Sequence, residues 1–220
     1  MSDTPIRRTR AFSVCIAAGY VVLSCAYAVT LALGLALLPS PDEPISEPYF
    51  TLLELLILTM CPFLVALFAD IHVQADADRR VFSLVALVFA ALLAGLTACV
   101  HFAILVLSRQ PEIVALPQFD LLFSFRWPSL VYSFDILAWD VFFPLAAVFA
   151  APAIRAGVYS RAIRVLFVLA SMLATAGLAG VFLSDMQVRN IGIIGYAVVF
   201  PAAALLIGLQ AWQDGMVKNS

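Results

Sequence analysis

Six apolar runs, each near the ~20 residues that a helix needs to cross the hydrocarbon of a bilayer, limit what this chain can become. They cover about 12–38, 50–72, 81–107, 128–152, 163–184 and 191–212. In lipid every backbone N–H and C=O must be paired internally, so such runs are helices. The fold class expected is all-α: a polytopic six-transmembrane-helix bundle, with residues 1–220 forming a single transmembrane domain. The chain is 64% hydrophobic and 12% charged, against about 45–50% and about 25% in soluble domains. A water-soluble core of this size cannot hide that excess. The net charge is −2, and no basic patch is present, so no nucleic-acid partner is expected.

Basic residues set the orientation. With the N-terminus inside, the inner segments hold Arg7, Arg8, Arg10, Arg79, Arg80, Arg155, Arg161, Arg164 and Lys218. The outer loops hold only Arg109, Arg126 and Arg189. Both termini are therefore expected to be cytoplasmic, in a bacterial inner membrane. Arg7 and Arg8 before Phe12 carry a trace of a twin-arginine signal, and Val22-Leu23-Ser24-Cys25 a trace of a lipobox. The apolar run continues past Cys25 to Leu38, too long for a signal core, and reads as a retained first span. Cys15, Cys25, Cys61 and Cys99 all fall in apolar runs and read as small buried hydrophobes. Their spacing suggests no metal, and no cofactor is expected.

The fourth run, from Trp127 to Pro152, holds two carboxylates, Asp135 and Asp140. A charge at the bilayer centre costs about 3 kcal/mol on insertion scales, so such residues are functional candidates by default. Pro144, four residues after Asp140, frees the Asp140 carbonyl from the helical ladder. Ser133 and, roughly, Ser129 share the face of Asp140. Asp135 lies about 140° round a straight helix from Asp140, so the two carboxylates are not expected to share a face.

The other runs add fewer polar groups. Glu54 is one turn into the second, shallow enough to snorkel, with Asp70 and His72 at its far end. His101 and Thr97 share a face of the third. The fifth holds Ser171, Thr175, Gly177 and Gly180, and the sixth Gly192 and Gly195, which let helices approach closely. Mid-run prolines occur in the second, fourth and sixth runs only (Pro62, Pro144 and Pro201), a hint of kinked helices around a cavity and of a three-plus-three inverted repeat. Of the outer loops, Pro39–Phe50 is a proline-stiffened acidic connector or a lid. Ser108–Trp127 is aromatic enough to lie among headgroups, as a side gate for lipophilic molecules.

By depth, Glu54, His101, Asp135 and Asp185 fall in the outer half, with Asp140 near the middle. The expectation is a polar pocket open to the outside and floored by Asp140. A carboxyl group held in oil can keep its proton and donate it, and a histidine can take one back. Asp135, Asp140 and His101 are the candidate catalytic groups; Glu54, Ser133, Trp139 and Asp185 are the candidate substrate contacts. Phe134, Trp139, Phe142 and Phe143 offer π-faces to a cationic intermediate. The leading function is binding of a small lipid-like or isoprenoid-like molecule, with its acid-catalysed conversion as an optional extension. The alternatives are a small proton-coupled transporter working as a homodimer, or a non-catalytic subunit whose polar residues only tie helices together. Whether the chain is an enzyme stays open. Its expected partners are membrane lipids and the lipophilic ligand.

His101-Phe102, Trp127-Pro128-Ser129, Asp135-Ile136-Leu137-Ala138-Trp139-Asp140 with Phe142-Phe143, and Ile191-Gly192-Ile193-Ile194-Gly195-Tyr196 together resemble a family of bacterial six-span integral membrane proteins of unknown function. The resemblance implies six spans over most of the chain and carries no activity.

Overall fold

The structure, a computed structural model, describes residues 4–40 and 45–216. Among these, helix is the only regular structure, with no strand, and six helices are long and apolar enough to cross a membrane. The spans are Arg10–Ala36, Tyr49–Gln74, Ala77–Leu107, Leu130–Ala153, Ser160–Leu183 and Met186–Asp214. The last begins five residues before its apolar run, which places Arg189 inside it. Asp42 and Glu43 of the suggested lid lie outside the described residues.

Each span packs on the next in sequence, and the sixth closes the ring on the first. The fourth is the most enclosed, with 61% of its apolar window buried against 11% for the first. Small residues permit this. Ala86, Ala90 and Ala94 recur every four residues along span three, and Ala146, Ala147 and Ala150 along span four; all are buried, on two helices in contact. Spans five and six interlock through glycines. A Cβ on Gly177 would stand 2.9 Å from the Gly192 Cα, and one on Gly195 2.7 Å from the Ala170 carbonyl oxygen. The close approach expected of these glycines is therefore realised. Of the cysteines only Cys61 is buried. Cys15, Cys25 and Cys99 lie on the outside of the bundle, where a small apolar side chain suits lipid as well as core.

The prolines differ in effect. Span two runs through Pro62 as one α-helix. Span four widens into a π-helical turn over Leu137–Phe142, where the Phe143 N–H donates to the Ala138 carbonyl, five residues back. Span six does the same over Gly195–Val199, where the Phe200 N–H donates to the Gly195 carbonyl. Each wide turn stands just before a Phe-Pro pair. A proline removes an N–H from the ladder, and a single π turn is one way to absorb the mismatch. The Ser171 hydroxyl donates to the Pro144 carbonyl at 2.9 Å, pinning span five to this bend. The matched prolines thus sit in spans four and six, two helices of one half, not in corresponding places of two inverted halves.

Between spans three and four, two short helices, Pro111–Val114 and Phe119–Phe123, expose Val114, Leu116 and Leu121 beside charged residues. That is the amphipathic outline expected of a segment lying among headgroups.

Candidate functional site

One buried network joins spans two, three, four and six. Glu54 of span two accepts or shares a proton with His101 of span three, Oε2 to Nδ1 2.8 Å. The other ring nitrogen, Nε2, faces Asp135 Oδ1 of span four at 3.8 Å. Asp135 Oδ2 accepts from Arg189 Nη2 of span six at 3.1 Å. Arg189 Nε donates to Asp140 Oδ2 at 2.9 Å, and its Nη1 donates to the Tyr132 hydroxyl at 2.9 Å. The guanidinium also lies 4.7 Å from the Tyr132 ring centroid. Planar, five-donor geometry lets one arginine serve three acceptors at once, which a lysine cannot do.

Several sequence expectations are met here and others are corrected. Glu54, His101 and Asp135 share one depth, as their positions along the spans imply. Glu54 does not snorkel; it is 4% exposed and faces inward. Asp135 and Asp140 are not on separate faces. The wide turn at Leu137–Phe142 winds fewer degrees per residue than an α-helix, so it swings Asp140 back toward the side of Asp135. One guanidinium then reaches both. Nor is a pocket open above Asp140, which is fully buried. Arg189 lies between the two carboxylates instead, and Asp140 Oδ1 packs against Gly192, where an added Cβ would stand 2.6 Å away.

Ser133 and Asp185 stand outside the network. The Ser133 hydroxyl donates to the Leu130 carbonyl at 2.7 Å, one turn back in its own helix. Asp185 caps the start of span six, accepting from the Gln187 N–H at 2.9 Å. Ser129 caps span four in the same way, accepting from the Tyr132 N–H at 3.2 Å. Trp139 makes its ring contacts with Phe143 and Tyr196. It is buried in an aromatic layer beside the network, 5.0 Å from the Tyr196 ring. These placements are testable. Ser133→Ala is expected to change stability by less than about 0.5 kcal/mol. Asp185→Ala is expected to cost about 1 kcal/mol as a lost helix cap. Reversible unfolding in mixed micelles reads both, and a larger loss from Ser133→Ala would place that hydroxyl back in the network.

Arg189 is the residue that sequence reasoning missed, having been assigned to an outer loop. Two signals pointed to it: four acids inside the apolar runs, Glu54, Asp70, Asp135 and Asp140, with only His72 and His101 inside runs to face them, and an arginine three residues before a Gly-x-x-Gly run. Its position depends on local chemistry. Ser184, at φ 54°, turns the chain between spans five and six in the left-handed region, and Asp185 then caps the new helix. Gly180 lets that turn close, since a Cβ there would stand 2.6 Å from both the Arg189 N and the Asp185 carbonyl oxygen.

The charge count follows from the groups present. Glu54, Asp135 and Asp140 face one permanently charged cation, Arg189. Without labile protons the network carries a formal charge of −2. It becomes neutral when two protons are shared among the three carboxyls and His101. Enclosed sites of low dielectric penalise net charge heavily. Side-chain exposure rises from 0% at Asp140 through 8% at His101 to 14% at Asp135, which makes Asp135 the open end. No group of three His, Cys, Asp or Glu side chains stands at metal-holding spacing among the described residues.

At the opposite end of the bundle is a cavity of about 410 Å³, counting the part open to solvent. Its polar lining is Asp70, Gln74, Arg155, Gln210 and Asp214. Asp70 is 3% exposed and accepts from the Ser13 hydroxyl at 2.8 Å and from Gln74 Nε2 at 2.7 Å. Arg155 pairs with Asp214.

No family model, no curated protein and no solved structure matches the chain. The site therefore stands on its own geometry.

Proposed function

We propose that the protein is a small proton-coupled carrier of a bacterial inner membrane, with both termini cytoplasmic and the Glu54–Asp140 network in the outer half. A working homodimer, and membership of the bacterial six-span family that the sequence resembles, belong to the same proposal. The observation that carries it is the charge count: three enclosed or half-enclosed carboxyl groups and a histidine surround one arginine, so the network is neutral only with two added protons. Networks of this composition inside a membrane mark proton relays in pumps and transporters. The burial of Arg189 supports the orientation. With it removed from the outer loops, the basic residues divide nine inside against two outside, Arg109 and Arg126. The cavity at the Asp70 end then opens to the cytoplasm.

The test is electrical. Proteoliposomes on a solid-supported membrane are challenged with a panel of small solutes. A transient current that grows as the outside is acidified, and that Asp140→Asn abolishes, is the expected result. Currents no larger than those of empty vesicles across the panel would sink the proposal. If Asp140→Asn lowers stability but leaves the currents alone, the network only ties helices together.

A second reading, acid-catalysed conversion of a lipophilic molecule, is favoured by the aromatic layer beside Asp140. Trp139, Tyr196 and Phe143 are in mutual ring contact there, with centroids 5.0–6.1 Å apart. It requires the network to open, because Asp140 is fully enclosed. A native mass spectrum of the purified protein checks it: an isoprenoid-like species bound at stoichiometric level favours this reading over transport.

A further inference from the structure

A buried aromatic layer lies between the charge network and the cavity at the Asp70 end. Phe68, Phe143, Phe167 and Phe200 come from spans two, four, five and six, and all are fully buried. The Phe200 ring is the hub, 5.2 Å from Phe143, 5.5 Å from Phe167 and 5.9 Å from Phe68. On the network side, Trp139 and Tyr196 lie against Phe143. On the cavity side, Phe68 precedes Asp70 by two residues, and Phe167 follows Ile163 by one turn. Asp70, Ile163 and Ile207 line the cavity. From Tyr196 to Ile207 is eleven residues, about 16 Å of helix.

Two of these rings come from matched segments. With Pro144 set on Pro201, Leu137–Ala150 aligns with Ile194–Ile207. Trp139 falls on Tyr196, Val141 on Val198, Phe143 on Phe200, and Ala146-Ala147 on Ala203-Ala204. Both segments carry a wide turn directly before the phenylalanine. The matched rings also face each other, Trp139 on Tyr196 and Phe143 on Phe200. Spans four and six therefore present paired weak points at one level, each bearing a ring of the layer. Sharp helix bends occur at prolines and π turns because the hydrogen-bond ladder is already interrupted there.

We propose that the four phenylalanines gate a proton conduit running from the charge network to the cavity, with the wide turns of spans four and six as its hinges and Asp70 as the carboxylate at the cavity end. When the gate parts, water enters the layer. A proton leaves the O–H or N–H bond that holds it in the network, passes along the water and forms an O–H bond on Asp70; no electron transfer is involved. Asp70 suits that role because Ser13 and Gln74 hold it at the cavity wall, which it shares with the Arg155–Asp214 pair. The conduit rests on the proton-holding reading of the network but not on any solute.

The test uses the full chain in proteoliposomes loaded with a pH-sensitive dye, with a potassium gradient and valinomycin driving protons inward. Wild type is expected to acidify the lumen slowly. Phe200→Ala is expected to do so several-fold faster, and Phe200→Ala/Asp70→Asn to return to the wild-type rate. A monodisperse Phe200→Ala with wild-type helicity and a wild-type rate would overturn the conduit, as would a leak that Asp70→Asn leaves unchanged. Where Phe200→Ala does not stay monodisperse, Phe143→Leu and Phe200→Leu are read with the same two outcomes. A leak in the gate variants without solute currents in wild type removes the carrier and keeps the conduit. Solute currents without any leak keep the carrier and remove the conduit.

Discussion

Replacing Arg189 with glutamine is expected to cost about 3–5 kcal/mol, the range for removing one partner of a buried ion pair. Asp135 and Asp140 both depend on its guanidinium, at 3.1 and 2.9 Å, and Asp140 is wholly enclosed. Left alone, each carboxylate must take up a proton or drag water inward. The cost should therefore shrink when the acid goes too. Asp140→Asn added to Arg189→Gln is expected to recover part of the loss, so that the double variant is more stable than the sum of the single changes implies. Arg189→Lys should fall between, because an ammonium is a compact charge that cannot span both carboxylates and the Tyr132 hydroxyl. Reversible unfolding in mixed micelles supplies all four numbers. An Arg189→Gln protein as stable as wild type would show that the network contributes nothing to the bundle.

Gly180→Ala is expected to damage the same region through backbone sterics rather than charge. The added methyl would stand 2.6 Å from the Arg189 N and 2.6 Å from the Asp185 carbonyl oxygen. Both are main-chain atoms of the first turn of span six, so relief requires that turn to move. Overpacking of this kind costs about 1–3 kcal/mol. It should also carry Arg189 away from Asp140, so Asp140→Asn should matter less in this background than in wild type. Gly192→Ala acts on the network directly, since a Cβ there would stand 2.6 Å from the enclosed Asp140 carboxylate oxygen, which could yield only by straining its pair with Arg189. Gly95→Ala is the control. Nothing stands within 4 Å of a Cβ there, so the variant should be neutral or gain up to about 1 kcal/mol from helix propensity. Equal losses from Gly95→Ala and Gly180→Ala would show that glycine matters through propensity alone.

The sequence was informative wherever the bilayer imposes a one-dimensional rule. Run length, the placement of basic residues and the cost of charge in oil need no knowledge of neighbours. They marked six spans, and they singled out Glu54, His101, Asp135 and Asp140. It was less informative where a residue's role depends on its surroundings in the folded bundle. Ser133 shares a face with Asp140 on an ideal helix, yet its hydroxyl is taken by the Leu130 carbonyl. Asp185 matches the depth of the acids, yet it caps a helix. Cys15, Cys25 and Cys99 are as apolar as Cys61, but which of them is buried depends on which side of each span meets another.

By itself the sequence determined that this protein is a bundle of six membrane-crossing helices with acids held at one depth, because hydrophobic length and charge desolvation act on each segment separately. Only the tertiary structure decided that Arg189 leaves its loop to join those acids, and that a wide turn before Pro144 swings Asp135 and Asp140 onto one guanidinium. Both depend on how closely spans four, five and six approach, and that is set by glycine contacts between helices which no single stretch of sequence contains.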